Sequence, residues 1–264
     1  MTKTLIPAAL AVLAAIVVTS AMDAMGLTLF SALALFPMLV LCWWFWRRPP
    51  KSMGFVWGRL SDYAMALAYP VVVLVACVLV AYATGGTHVE HTHWRRAEIN
   101  FVLLFVQGIP IGLITEEGFF RGWLWASFEK AGLDRFKILI LTSVAFALWH
   151  ISLVTLAKGF MLPPAQAALY ILNVAVIGVI WGQMRSISHS IVVTSVSHAL
   201  WNAGTYVLFG TGFFMGVLGV KQTEIYGAEV GVVGLTLNVA FAAVLWWLRW
   251  RNGTSRLEEK SYVG

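Results

Sequence analysis

Apolar segments of about twenty residues dominate this chain and restrict the folds open to it. Eight such segments lie at about 5–22, 26–46, 63–83, 99–127, 136–157, 165–184, 189–209 and 230–250. A helix needs about 20 apolar residues to cross the hydrocarbon core of a bilayer. The chain is 60% hydrophobic and only 11% charged, far more apolar than a soluble domain. The sequence therefore predicts an all-α, polytopic membrane protein with about eight transmembrane helices.

The basic residues indicate how these helices are oriented. Thirteen Lys and Arg residues fall in the termini and loops on the N-terminal side of the membrane, against four on the other side. Because cytoplasmic loops are enriched in Lys and Arg, we expect both termini to be cytoplasmic. The net charge of +6 is spread over these short loops, so it does not indicate a nucleic-acid partner. Cys42 and Cys77 lie in apolar segments and should pack as small hydrophobic residues.

The chain divides into three parts of one membrane domain. Residues 1–95 hold N-terminal transmembrane helices, 96–210 hold a polar core, and 211–264 hold the last transmembrane helix and a cytoplasmic tail. We expect residues 1–22 to be a retained first helix, because a second span follows after a short turn near 23–26. The alanine-rich, lysine-poor composition favours a prokaryotic cell membrane.

Three of the apolar segments carry polar residues four positions apart, which share one face of an α-helix. A charge near the bilayer centre costs at least ~2.5 kcal/mol on insertion scales, so such residues are usually functional. The predicted topology places all three groups between mid-membrane and the cytoplasmic side. We expect them to form one buried polar site that opens toward the cytoplasmic leaflet. The groups are Glu116 and Glu117 with Arg121, Phe146 with His150, and His198 with Asn202.

These residue types suit the hydrolysis of a peptide bond by an activated water. A carboxylate and an imidazole that share a water can remove its proton. A second imidazole and a carboxamide can donate hydrogen bonds to the oxyanion, and Arg121 can pair with Glu117. Alternatively, a divalent metal such as zinc could be held by Glu116, Glu117, His150 and His198. Both forms of hydrolysis are open at this point.

The three motifs resemble those of the CPBP family, the CAAX-prenyl-endopeptidase and bacteriocin-processing group of intramembrane proteases, also called the Abi family. The family pattern is Glu-Glu-x-x-x-Arg, then Phe-x-x-x-His, then His-x-x-x-Asn. It occurs here in full, at 116–121, 146–150 and 198–202. The resemblance covers about residues 100–210, which would make this part a CPBP-type catalytic core.

The resemblance implies an intramembrane endopeptidase that works in a lipid bilayer. Its substrate would be a peptide or membrane-protein segment, with a prenylated tail as the eukaryotic form. The family's metal dependence is not fixed by the motifs, so the cofactor is either none or a divalent metal. The implied roles are water activation for Glu116 and His150, an oxyanion hole for His198 and Asn202, and support of the site for Glu117 and Arg121.

Other functions are weighed against this one. The chain has no His-Glu-x-x-His and no Gly-x-Ser-x-Gly motif, which disfavours a zinc protease of that type and a serine hydrolase. A proton-coupled transporter could use buried Glu and His residues, but the sequence shows no internal repeat. A catalytically silent membrane scaffold or immunity-type protein is the main alternative. Taken alone, Phe146 is interpreted as a packing residue.

Overall fold

The computed structural model describes residues 2–89, 93–211 and 214–261, with side chains for 5–89, 93–210 and 215–248. The described elements are nearly all helical, and the two short strands pair antiparallel over two residues each. The predicted all-α class is confirmed. In chain order the elements are α1 (Thr2–Ala24), α2 (Thr28–Ser31), a 3₁₀ turn (Ala32–Ala34), α3 (Leu35–Trp46), α4 (Leu60–Ala83), α5 (Trp94–Ile114), a π-helix (Glu117–Leu124), α6 (Trp125–Lys130), α7 (Arg135–Trp149), α8 (Ile151–Thr155), α9 (Pro164–Ser188), α10 (Ile191–Leu208), β1 (Gly210–Thr211), β2 (Phe214–Met215), α11 (Thr223–Tyr226) and α12 (Val232–Ser261).

The helices are long and apolar enough for a polytopic membrane protein, as predicted. The segment 232–248 is a shorter apolar helix, and α10 supplies one further helical segment with a largely buried surface. Many exposed side chains of these helices are Leu, Val, Ile or Phe, as expected for a surface that contacts lipid. Six described segments meet the length and hydropathy of a membrane span: Leu5–Ala24, Thr28–Trp46, Leu60–Ala83, Trp94–Lys130, Arg135–Thr155 and Pro164–Ser188.

One end of the bundle is held together by hydrogen bonds between loops and helix ends on the side of the N-terminus. Arg48, just after α3, donates from Nε to Ser127 Oγ of α6 at 3.3 Å. Arg185 near the end of α9 donates from Nη2 to the Ser52 carbonyl at 3.0 Å. We call this the N-terminal end of the bundle.

The opposite end is joined in the same way. Ser152 of α8 donates to Asp23 Oδ2 near the end of α1 at 2.6 Å. The backbone N–H of His88, after α4, donates to the Leu218 carbonyl, after α10, at 2.8 Å. We call this the rim end. Consecutive crossings therefore run in alternating directions, and the chain returns to the N-terminal end in α12.

A buried polar network joins the helices that surround the predicted site. The Tyr69 hydroxyl of α4 donates to Asn238 Oδ1 of α12 at 2.8 Å. Asn238 Nδ2 donates in turn to Asn173 Oδ1 of α9 at 2.8 Å. Tyr69 also stacks on Trp201 of α10, with ring centroids 5.2 Å apart. Hydrogen bonds of this kind fix the register of helices where hydrophobic burial alone does not.

The structure corrects the predicted geometry of two motifs. The fourth span is not one α-helix, because Thr115 leaves the helical region (φ −112°, ψ −99°) and residues 117–124 form a π-helix. Glu117 and Arg121 therefore lie on a π-helix and not on an α-helical face. Likewise, His150 is the C-cap of α7 and lies between α7 and α8, not inside a continuous helix.

Candidate active site

A cavity of about 1400 Å³ inside the bundle collects the predicted site residues. Four of the six predicted residues line the cavity: Glu116, His150, His198 and Asn202. They come from the fourth, fifth and seventh crossings, as the sequence predicted. The other two, Glu117 and Arg121, lie behind the cavity wall with fully buried side chains.

Behind the wall, Glu117 and Arg121 form an ion pair shielded from solvent. Arg121 Nη1 lies 3.3 Å from Glu117 Oε1, and Nη2 donates to the Gly178 carbonyl of α9 at 3.5 Å. The guanidinium lies 4.0 Å from the centre of the Phe146 ring, in a cation–π contact. A buried charge is stable only when it is paired and hydrogen-bonded. Three helical segments supply such partners to Arg121.

The same carboxylate orients His198. Its Nδ1 lies 3.0 Å from Glu117 Oε1, and an ionised carboxylate can only accept, so Nδ1 carries the proton. This leaves Nε2 directed toward Glu116 Oε2, 3.7 Å away. The imidazole stacks on Trp181 of α9, with centroids 4.1 Å apart and planes 22° apart. Three neighbours thus fix the position of His198, and Glu117 requires a proton on its Nδ1.

His150 is oriented by the backbone of its own helix. Its Nδ1 lies 2.9 Å from the Phe146 carbonyl oxygen, which can only accept a hydrogen bond. Nδ1 therefore carries the proton, and Nε2 of the neutral ring is left as an acceptor. Nε2 lies 3.9 Å from Glu116 Oε2. The Phe146 ring packs against the imidazole with centroids 4.4 Å apart, so this residue does more than fill the core.

Glu116 occupies the centre of the arrangement. Its Oε2 is buried and has no hydrogen-bond partner within the described part of the chain. The two imidazole Nε2 atoms lie 3.7 Å and 3.9 Å from this oxygen. Such distances are too long for direct hydrogen bonds but suit a bridging water. Glu116 is therefore the one carboxylate of the pair that is available to a small molecule in the cavity.

The cavity wall also contains a carboxylate that sequence reasoning missed. Glu229, before α12, accepts a hydrogen bond at Oε1 from Trp201 Nε1 at 2.8 Å. Its backbone carbonyl accepts another from Asn173 Nδ2 at 2.9 Å. Burial raises the pKa of Glu229 above its ordinary value. Asn202, one turn after His198, lines the same cavity. No motif marks Glu229, because its contacts come from helices far away in the sequence.

Arg185 follows the predicted span 165–184 directly, and the structure places it inside the membrane bundle. It is buried in α9, and its Nε donates to the Arg121 carbonyl at 3.1 Å. The altered hydrogen bonding of a π-helix frees backbone groups, and Arg185 satisfies one of them. Its position four residues after Trp181, on the same face of α9, is the one signal that could have indicated a structural role.

The proposed metal ligands do not fit a metal ion in this arrangement. Among the described residues, no three His, Cys, Asp or Glu side chains are grouped so that they could hold one. Glu117 Oε1 is already engaged by both Arg121 and His198. The chemistry below therefore includes no step through a metal.

The cavity opens at the rim end of the bundle. If both termini are cytoplasmic, the rim end faces away from the cytoplasm, so the predicted orientation and the predicted opening toward the cytoplasmic leaflet are incompatible. The exposed residues of the cavity wall at this end include His88, Arg96, Met215 and Lys221.

Comparison with known proteins agrees with the motifs. Residues 98–204 match the protein-family model described as Type II CAAX prenyl endopeptidase Rce1-like. The matched segment lies inside the predicted core, 96–210, and contains all six predicted site residues. No curated protein matches the chain. The match supports a protease of the intramembrane type. The chain is thus an integral membrane protein with a central segment that is similar to the Rce1-like family, in agreement with its resemblance to the CPBP family.

Proposed function

We propose that this protein is an intramembrane endopeptidase that hydrolyses a peptide bond with a water activated by Glu116 and His150. The observation that carries the proposal is the unpartnered Oε2 of Glu116, which faces two imidazole Nε2 atoms at 3.7 Å and 3.9 Å. A water beside these atoms can donate to the carboxylate and to His150. Both groups are acceptors, as a general base must be.

The reaction follows from these hydrogen-bonding roles. As the water oxygen attacks the peptide carbonyl carbon, its proton passes to the Glu116–His150 pair. His198 and Asn202 donate to the oxyanion, which requires a proton on His198 Nε2 as well. The carboxylates on either side of His198 stabilise that imidazolium. The C–N bond then breaks, and the proton moves from the Glu116–His150 pair to the leaving nitrogen, giving a carboxylic acid and an amine.

The buried ion pair has a supporting role in this scheme. Arg121 holds Glu117, and Glu117 holds His198 at Nδ1. A side chain fixed in this way loses little freedom when the oxyanion forms, which is the advantage of a preorganised site. The substrate is a peptide or membrane-protein segment in a prokaryotic cell membrane, with or without a prenylated end.

The test is hydrolysis of internally quenched peptides, with and without a C-terminal prenylcysteine, by the protein in liposomes. We expect Glu116→Gln and His150→Asn each to lower the rate by at least about 100-fold, the usual contribution of general-base catalysis. Matched controls are Glu98→Gln, on the exposed surface of α5, and His189→Asn, on the exposed end of α9; both should keep the activity. Unchanged cleavage by both site variants, with normal folding, would remove the assignment.

A further inference from the structure

The cavity reaches the surface at the rim end and along α5, where its lining residues Leu103, Leu104 and Gln107 are exposed. Among its other exposed wall residues, Arg96 and Lys221 belong to the rim end. None of its wall residues comes from the loops 47–59, 131–134 or 189–190 at the N-terminal end. A substrate can therefore approach Glu116 from the rim end or past α5, and not through the loops of the N-terminal end.

The basic residues are concentrated at the end opposite to the rim. At the N-terminal end, the exposed basic residues of the loops and helix ends are Arg47, Lys51, Arg59, Lys130, Arg135 and Lys137. The two terminal segments belong to the same end and add five more basic residues. At the rim end, the exposed basic residues are Arg95, Arg96, Lys158 and Lys221. Since the positive-inside rule counts Lys and Arg near the ends of the spans, this asymmetry directs the N-terminal end to the cytoplasm.

We infer that the cavity opens on the extracytoplasmic face of the membrane and that its substrates are peptide segments exposed on that face. The inference names the substrate class for the proposed function and rests on it.

The walls near the rim indicate that such substrates are attached to the membrane. Leu29 of α2 and Ala32 of the following 3₁₀ turn line the cavity on one side, and Leu103 and Leu104 of α5 line it on another. Three of these four side chains are exposed, and α5 buries only Ala97 and Gly112. The cavity thus has an apolar side wall formed by a helix that few neighbours cover. A membrane-anchored peptide suits this wall better than a freely soluble one.

The orientation is tested by labelling single cysteines in intact bacterial cells with a membrane-impermeant maleimide. Cys42 and Cys77 are both buried and are first replaced by Ala. Gln222→Cys reports the rim end and Ser52→Cys reports the N-terminal end; both positions are exposed and neither change alters a charge. We expect Gln222→Cys to be labelled in intact cells and Ser52→Cys only after permeabilisation. The reverse pattern, or labelling of both in intact cells, overturns the inference.

The substrate class is tested with membrane-anchored reporters that display one cleavable segment on either the extracytoplasmic or the cytoplasmic face. We expect cleavage of the extracytoplasmic reporter only, and no cleavage by Glu116→Gln. Cleavage of the cytoplasmic reporter alone contradicts the substrate class. Cleavage of neither contradicts the proposed function, while the labelling result still decides the orientation, since labelling does not depend on activity.

Discussion

The two adjacent glutamates are chemically distinct because of what each side chain contacts. Glu117 Oε1 receives both Arg121 and His198. Glu116 Oε2 receives no hydrogen bond from the described part of the chain and faces the cavity. A carboxylate already bound by a cation is a poor base, whereas an unpaired one retains its basicity. One residue of the pair thus supports the fold and the other is free to act on water.

The buried ion pair should therefore be needed for stability. Arg121→Met leaves Glu117 charged and without its cation, and removal of one partner of a buried pair typically costs about 3–5 kcal/mol. The measurement is the free energy of unfolding in mixed detergent–SDS micelles, with Arg95→Met on the exposed surface of α5 as the control. The double variant Glu117→Gln, Arg121→Met should be more stable than Arg121→Met alone. A single variant as stable as the control would contradict this role.

Activity should persist when metal ions are removed. Because the four candidate ligands do not form a metal site among the described residues, exhaustive chelation is expected to leave the hydrolysis rate unchanged. The metal content of the purified protein, measured by elemental analysis, tests the same expectation independently of activity. Loss of activity on chelation that added zinc restores would refute this expectation and return Glu116 and the histidines to the role of ligands.

The residue types of the site could be read from the sequence, whereas their surroundings could not. Spacing of four residues correctly indicated that Glu117 and Arg121 would pair. The stacking of Trp181 on His198 and the contact of Arg185 with the Arg121 carbonyl join different crossings. Such contacts depend on how the helices pack, and no local pattern in the sequence records that packing.

At the scale of elements, the π-helix is the main departure from expectation. It places Glu117, Gly118 and Arg121 in a wider turn than an α-helix provides, and such segments occur often at functional sites. The sequence gives no periodic signal for it, because Phe119, Phe120 and Trp123 are buried whatever the helix type. Two neighbours contact this segment: Arg185 donates to the Arg121 carbonyl, and α3 packs closely against Gly118.

Gly118 should be needed for this close approach. An added Cβ would lie 2.6 Å from the Leu113 carbonyl oxygen and 2.7 Å from Leu39 Cδ2 of α3. We expect Gly118→Ala to lower the free energy of unfolding by about 1–3 kcal/mol, as overpacking does, and to reduce peptide hydrolysis.

The matched control is Gly112→Ala, in the same crossing and also buried, where an added Cβ meets nothing within 4 Å. Alanine is the better helix former, so this variant should be neutral or more stable by up to ~1 kcal/mol. Equal effects of the two substitutions in the same unfolding assay would show that the steric explanation is wrong.

At the scale of the whole molecule, the order of the apolar helices followed from hydropathy, but the side on which the cavity opens did not. Six described segments have the length and hydropathy of a membrane span, against about eight predicted. Each predicted span has a helical counterpart, because exposing about 20 apolar residues to water has a high free-energy cost. The direction of the opening depends on which helix ends separate. Hydropathy averaged along the chain does not contain that information.

An even number of crossings requires both termini on one side of the membrane. Epitope tags at residues 1 and 264 should therefore behave alike: both resist a protease added to intact cells, and both are digested after permeabilisation. This result depends on the number of crossings as well as on the orientation. Digestion of only one tag in intact cells would show that a predicted span does not cross the membrane.

The contacts of α1 carry a consequence for biogenesis. Thr19 accepts a hydrogen bond from Trp149 Nε1 at 2.8 Å, and Asp23 accepts one from Ser152, so its partners lie 130 and 129 residues later in the chain. Until those residues are synthesised, Thr19 can bond only to its own helix, at the Ala15 carbonyl. The polar partners of α1 are thus synthesised long after α1 itself. Two of the cavity's wall residues, Thr19 and Asp23, therefore form these hydrogen bonds only after α7 and α8 have packed against α1.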